Sequence, residues 1–261
     1  MIENTKETLR KLRLYGMLRA YDELLEAPQS RFNAHELMEH LAETEWIDRY
    51  NRAITRLTRM AQFRYEASIS QLQITPERGI DSSLIQQLSE GMYLTQAQNV
   101  LITGPTGTGK SFMATALGRA ACELGKRVRY ANTARLTTEL KQAKTEGSLI
   151  KELKKLEKTD LLILDDFGLQ VLDATGRSLL MDVMEDRHGR KSTMVVGQIP
   201  ITSWHEVIGD LTLADALMDR WVHGSYQIEL DSESMRKKMS QAENTKACLL
   251  YTSPSPRDKR Q

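Results

Sequence analysis

The stretch Gly104-Pro105-Thr106-Gly107-Thr108-Gly109-Lys110-Ser111 constrains this chain more than any other. It reads G-x-x-x-x-G-K-S, follows the apolar run Val100-Leu101-Ile102-Thr103, and opens an amphipathic helical pattern from Phe112 to Leu124. Strand, glycine-rich loop and helix in that order are what a P-loop requires. Glycines let backbone N–H groups turn inward around a phosphate, and the helix points its positive end at the same anion. The pattern predicts that residues 104–112, with Phe112 at the helix start, cradle a nucleoside triphosphate. Lys110 reaches the β- and γ-phosphates, and the Ser111 hydroxyl ligates Mg²⁺.

The 261 residues suffice for one substantial α/β domain and a small accessory region. A net charge of +1 says nothing about partners, so a nucleic-acid surface has to come from local clustering. Cys122 and Cys248 give neither a disulfide framework nor a metal spacing. No signal-peptide pattern opens the chain, and no apolar run approaches the ~18 residues of a membrane span. The expectation is a soluble, cytoplasmic protein. Residues 247–261 lack periodicity and carry two Ser-Pro steps, which reads as a disordered or non-native tail.

Residues 73–246 alternate strand and helix. Strands are predicted at 100–103, 127–131, 161–164, 193–196 and 226–230. Helices are expected at 112–124, from a cap at Thr133 to 145, on to 158, at 175–188, near 202–208 and 212–221, and from Ser232. That alternation predicts a five-stranded parallel sheet flanked by helices. The third strand ends in Asp165-Asp166, 55 residues after Lys110. A P-loop enzyme needs a carboxylate there for Mg²⁺ and a group to position the attacking water. Asp165 fits the first task and Asp166 the second.

Residues 1–72 show no strand pattern and predict an all-helical module. Leu14, Met17, Leu18, Tyr21, Leu24 and Leu25 share one helical face, ended by Ala27-Pro28. Asn33 and Glu36 make a capping-box start for a second helix running to about Ala67. On it, Arg49, Arg52, Arg56 and Arg59 fall within an arc of about 80°. Arginine suits phosphate through bidentate hydrogen bonds. The stripe fits a DNA-contacting face, and equally a solvated or protein-docking face. Asp48 is the only acid between residues 46 and 65, which argues against i,i+4 pairing.

The P-loop together with Leu164-Asp165-Asp166-Phe167-Gly168 resembles the DnaC-like branch of the AAA+ ATPases. Gln198-Ile199-Pro200 with Trp204, Ile208-Gly209-Asp210 and Leu213–Arg220 narrow it, as does the opening Leu12-Arg13-Leu14-Tyr15-Gly16-Met17. These resemble IstB-like proteins, the ATP-binding helpers of insertion-sequence transposases, over about residues 8–243.

The resemblance implies an ATPase, with ATP and Mg²⁺, that binds duplex DNA, self-assembles with ATP and engages a cognate transposase. It also implies a homo-oligomer with ATP sites at subunit contacts. Arg220 then matches the arginine finger that reaches the neighbour's γ-phosphate; a structural salt bridge with Asp215 or Asp219 is the other reading. Gln198 matches the polar sensor, and Arg236 the second-sensor arginine of a short C-terminal lid. Residues 92–99 are expected to border the adenine. Asp166 stands where many related ATPases carry Glu, which implies slow, switch-like hydrolysis. Thr106, Ser111 and Val196-Gly197 depart from the commonest family residues; Ser111 keeps the hydroxyl that Mg²⁺ needs. A replicative helicase loader of the same branch is the alternative, and a small-molecule phosphotransferase a more distant one.

Overall fold

The computed structural model of the chain describes residues 2–26 and 32–231. They form two compact units, divided between Arg59 and Met60 rather than near residue 72.

The N-terminal unit is helical: α1 (Ile2–Lys11), α2 (Tyr15–Glu26) and α3 (Ala34–Ala61). Arg13, at φ 57°, breaks the chain between α1 and α2. The capping box at the start of α3 is present. Asn33 Oδ1 accepts from the Glu36 N–H, and Glu36 Oε2 accepts from the Asn33 N–H, each at 2.9 Å. The helix stops at Ala61, short of the expected Ala67, because Gln62 adopts a left-handed conformation at φ 58°. Helices α2 and α3 meet at Gly16, where an added Cβ would lie 2.6 Å from Glu45 Cα and from Thr44 O. At that contact the buried Glu45 carboxylate accepts from the N–H groups of Gly16 (2.7 Å) and Met17 (3.2 Å). It satisfies donors that the first turn of a helix leaves open, at the end where negative charge is favoured.

The second unit is built on β1 (Val100–Thr103), β2 (Val128–Asn132), β3 (Leu161–Phe167), β4 (Ser192–Gly197) and β5 (Tyr226–Glu229). The order is β2-β3-β4-β1-β5 and every pairing is parallel. Helices cover the sheet: α4 (Ser82–Ser89), α5 (Met92–Thr95), α6 (Lys110–Glu123), α7 (Thr133–Thr145), α8 (Leu149–Glu157), α9 (Ala174–Arg187), α10 (Trp204–Ile208) and α11 (Leu211–Val222). Covered strands read as continuous apolar runs, and β1 and β4 are buried at every residue. Asn132 rather than Thr133 caps α7; its side chain accepts from the Arg135 N–H. The core gathers around Phe167, Trp204 and Trp221, whose ring centroids lie 4.8–5.8 Å apart.

Arg187 is buried beside this core. It donates to the carbonyls of Leu156 (2.5 Å) and Thr159 (2.8 Å) and to Thr193 Oγ1 (3.2 Å), tying the end of α9 to α8 and β4. Burial pushes its pKa down to about 10. Among the described residues no helix is long and apolar enough to cross a membrane. The expected lid, its Arg236 and the tail at 247–261 lie outside the described residues.

Candidate functional site

In an open parallel sheet, ligands bind at the carboxyl ends of the strands. Here that edge carries the glycine-rich loop after β1, the two aspartates of β3 and Gln198 after β4. The strand order puts Gln198 between the other two.

The loop depends on its glycines. Gly104, Gly107 and Gly109 have φ of 139°, 89° and 93°. A Cβ on Gly104 would lie 2.2 Å from Leu230 O, so no other residue fits there. Gly109 caps α6, whose first residues are Lys110, Ser111 and Phe112. The Lys110 side chain folds back into the loop, and Nζ donates to Pro105 O at 2.7 Å. Burial pushes its pKa down, while Asp165 and Asp166 pull it up. A cation thus lies among inward-turned backbone and open helix N–H groups, the chemistry of a polyphosphate site.

Asp165 is 1% exposed and heavily hydrogen-bonded. Oδ1 accepts from the Ser111 hydroxyl (3.1 Å) and the Asp166 N–H (2.8 Å), and Oδ2 accepts from the Tyr130 hydroxyl. Burial, then the bond to Asp165, pushes the Tyr130 pKa up. The Thr133 hydroxyl donates to the Asp165 carbonyl at 2.9 Å. Among the described residues no cluster of three or more His, Cys, Asp or Glu could hold a metal by itself. One hydroxyl and one carboxylate side by side do fit Mg²⁺, which keeps several waters and shares substrate phosphates.

Asp166 is built differently. Its φ of 57° is a left-handed conformation that a non-glycine residue adopts at a cost. Its Oδ2 accepts from Asn132 Nδ2 at 3.0 Å and from Arg64 Nη1 at 3.4 Å. On the other side, Gln198 Oε1 accepts from the Thr106 hydroxyl at 2.5 Å. Thr106, Lys110, Ser111, Phe112, Asp166 and Gln198 all face one cavity of about 510 Å³.

The remaining wall comes from a stretch no motif marked. Arg64, Tyr65, Leu72 and Arg78 line the same cavity. Arg78 donates to Thr108 O and to Gln73 O, both at 2.5 Å, and burial pushes its pKa down. The expected adenine border at 92–99 is corrected. Asn99 O accepts from the Tyr226 N–H (2.9 Å), where β5 begins. Residues 92–99 therefore sit at the amino edge of the sheet, opposite the loop.

Arg220 lies at that amino edge too, since its carbonyl accepts from Asn99 Nδ2 at 2.7 Å. Its guanidinium bonds Glu185 and donates to Ala216 O (2.8 Å), and Nε is buried without a partner. Neither Asp215 nor Asp219 pairs with it; Asp215 meets His205 at 3.2 Å. Arg220 borders a separate cavity of about 190 Å³ and does not reach its own loop.

The arginine stripe of α3 divides in two. Arg49 pairs with Glu45 (2.6 Å), and Arg52 with Asp48 (2.6 Å) while lying 5.2 Å over the Tyr15 ring. Among the described residues Arg56 and Arg59 have no ion pair. The expectation that i,i+4 pairing cannot account for the stripe is therefore wrong for half of it. Glu45, one residue outside the stretch considered, supplies the missing acid.

A family model described as IstB-like ATP binding protein matches residues 7–243. A Sinorhizobium fredii protein designated an insertion-sequence ATP-binding protein is 38% identical over 89% of this chain and 96% of its own length. One from Pseudomonas aeruginosa, designated as the ATP-binding protein of insertion sequence IS21, is 29% identical over 95% and 92%. Among solved structures, the DnaC helicase loader superposes with a TM-score of 0.54 at 19% identity, over 66% of this chain and 100% of that one. AMPPCP-bound DnaA from Aquifex aeolicus gives 0.57 at 16% identity, over 76% and 58%. At those identities the likeness shows the fold, and it is the expected AAA+ P-loop sheet preceded by a helical region.

Proposed function

The chain belongs to the family of IstB-like ATP-binding proteins, and from that premise we propose that it is an ATP-dependent, DNA-binding regulator of transposition. In this reading ATP occupies the cavity at the carboxyl edge of the sheet. Lys110 and the loop N–H groups bind its phosphates. Asp166 and Gln198 orient the attacking water, and hydrolysis gives ADP and phosphate. Mg²⁺, held by Ser111 and Asp165, supplies neutralisation of phosphate charge when bound. The convergence of Lys110, Ser111, Asp166 and Gln198 on one cavity carries this reading.

The protein assembles with ATP on duplex DNA, engages a cognate transposase, and resets on hydrolysis. Arg220 acts from a neighbouring subunit. Its place at the amino edge, away from its own loop, supports a role in trans, for which it has to leave Glu185. Arginines of α3 contact DNA phosphates, with Arg56 and Arg59 the readiest because among the described residues no acid holds them.

Binding to duplex and single-stranded DNA of equal length, with and without a non-hydrolysable ATP analogue across a salt series, tests this. Duplex preference that depends on the analogue is expected. Two phosphate-contacting arginines give a slope of log K on log[salt] of about −1.8, and four give about −3.6. A preference for single strands moves the reading to a helicase loader. No DNA binding in any nucleotide state overturns both.

A further inference from the structure

The cavity holds two further cations that the ATPase reading does not use, Arg64 and Arg78, and Arg78 is spent on the carbonyls of Thr108 and Gln73. Arg64 lines the cavity together with Lys110 and Asp166. Its guanidinium lies 5.4 Å over the Tyr65 ring and meets Asp166 Oδ2 at 3.4 Å. Its neighbours fix it there. Gln62 Oε1 accepts from Arg129, and Phe63 packs edge-on to Tyr130 at 6.3 Å. Phe63 also fills the space beside Gly118, where a Cβ would lie 2.7 Å from the Phe63 ring. Three consecutive residues after α3 thus grip β2, α6 and the end of β3.

The direction of this grip matters. Asp166 Oδ2 is held by Asn132, on β2, and by Arg64. Strand β2 lies on the far side of β3 from β4 and β1, which carry Gln198 and the loop. The oxygen is therefore drawn away from the place where water would meet a γ-phosphate. A triphosphate in the same cavity brings more negative charge within reach of Arg64 than one aspartate does.

We propose that Arg64 is a phosphate-responsive restraint on Asp166: it pairs with the carboxylate when the cavity lacks a triphosphate and transfers to the triphosphate when one binds. This rests on the reading of the cavity as an ATP site. Asn132 is a poorer probe of the restraint, since its side chain also caps α7. Arg64 is 53% exposed in its side chain, so its replacement removes little packing.

The test compares the full-length wild type with Arg64→Ala and Arg64→Lys in two measurements: kcat at saturating Mg·ATP, and affinity for a non-hydrolysable triphosphate against ADP. A half-exposed ion pair sets the scale at about two- to fivefold. Arg64→Ala weakens the triphosphate by that factor with ADP unchanged, and leaves kcat at saturation near wild type, because Arg64 has already left Asp166 in the triphosphate-bound protein. Arg64→Lys keeps the charge and stays near wild type. If Arg64→Ala binds the triphosphate as tightly as wild type, weakens both nucleotides equally, or raises kcat at saturation, the transfer from Asp166 to the triphosphate is overturned. A wild type that binds neither nucleotide overturns the ATP site itself, a result distinct from a variant that behaves as wild type.

Discussion

In the N-terminal unit charged side chains answer one another. Arg49 and Arg52 meet Glu45 and Asp48, and Glu45 closes the first turn of α2. In the nucleotide-binding unit, charged groups from separate stretches of chain converge on a shared space: Lys110 from the loop, Asp166 from β3, and Arg64 and Arg78 from the segment before β1. The same residue types serve opposite ends. Where acids and bases lie one helical turn apart, they neutralise locally and hold helices together. Where backbone geometry separates them around a cavity, their charge is available to a ligand.

The largest effect that could break this contrast is at Lys110. Lys110→Ala is expected to lower the kcat of ATP hydrolysis about 10²–10³-fold, the scale for losing one charge-stabilising donor. A loss below tenfold, measured by steady-state phosphate release, would show that the convergence is not what drives turnover. Gly16→Ala addresses the other unit. Its methyl group meets Glu45 Cα and Thr44 O at 2.6 Å, and overpacking of that kind costs about 1–3 kcal/mol or more. Chemical denaturation followed through the helical signal reads it, and an unchanged midpoint would contradict the close helix contact.

Tyr130→Phe sharpens the picture of the metal position. It removes the hydroxyl that bonds Asp165 Oδ2, and loss of such an outer-shell partner weakens metal binding about tenfold or more. A Mg²⁺ titration of ATPase activity should shift to higher concentration by that factor. The smallest effect separates the two halves of the arginine stripe. Replacing Arg56 and Arg59 together by Ala should flatten the salt slope of duplex binding by about 1.8. Replacing Arg49 and Arg52 should instead lower the unfolding midpoint and leave most of the slope. The reverse ranking would mean that the ion pairs on α3 open to meet DNA.

The sequence made the nucleotide-binding unit legible because a phosphate-binding loop, apolar covered strands and a carboxylate strand end each impose residue types at fixed places. All five strands lie within three residues of expectation, and Lys110, Ser111, Asp165, Asp166 and Gln198 come together. Two things stayed hidden. Arg64 and Arg78 lie in irregular chain between α3 and α4, with no period and no motif to mark them. Their role depends on tertiary packing, through Phe63 against Gly118 and Arg78 over the loop. The same packing displaced the adenine expectation. Residues 92–99 approach the loop in sequence, but they enter β1 from its amino end and so lie a full strand away from it. On α3 the missing term was Glu45, whose reach to both Arg49 and the first turn of α2 follows from the helix contact at Gly16.

The place where the chain divides has a practical side. The cut at Met60 falls within the last turn of α3, ahead of the segment that carries Arg64, Tyr65 and Leu72. A fragment begun at residue 73, where the strand-and-helix pattern starts, keeps the glycine-rich loop, the two aspartates of β3 and Gln198. It loses that wall of the cavity and bares the surfaces of Tyr130 and Gly118 that Phe63 covers. Dissecting this protein at residue 73 thus opens the cavity on one side, whereas trimming at or before Met60 keeps every described residue that lines it.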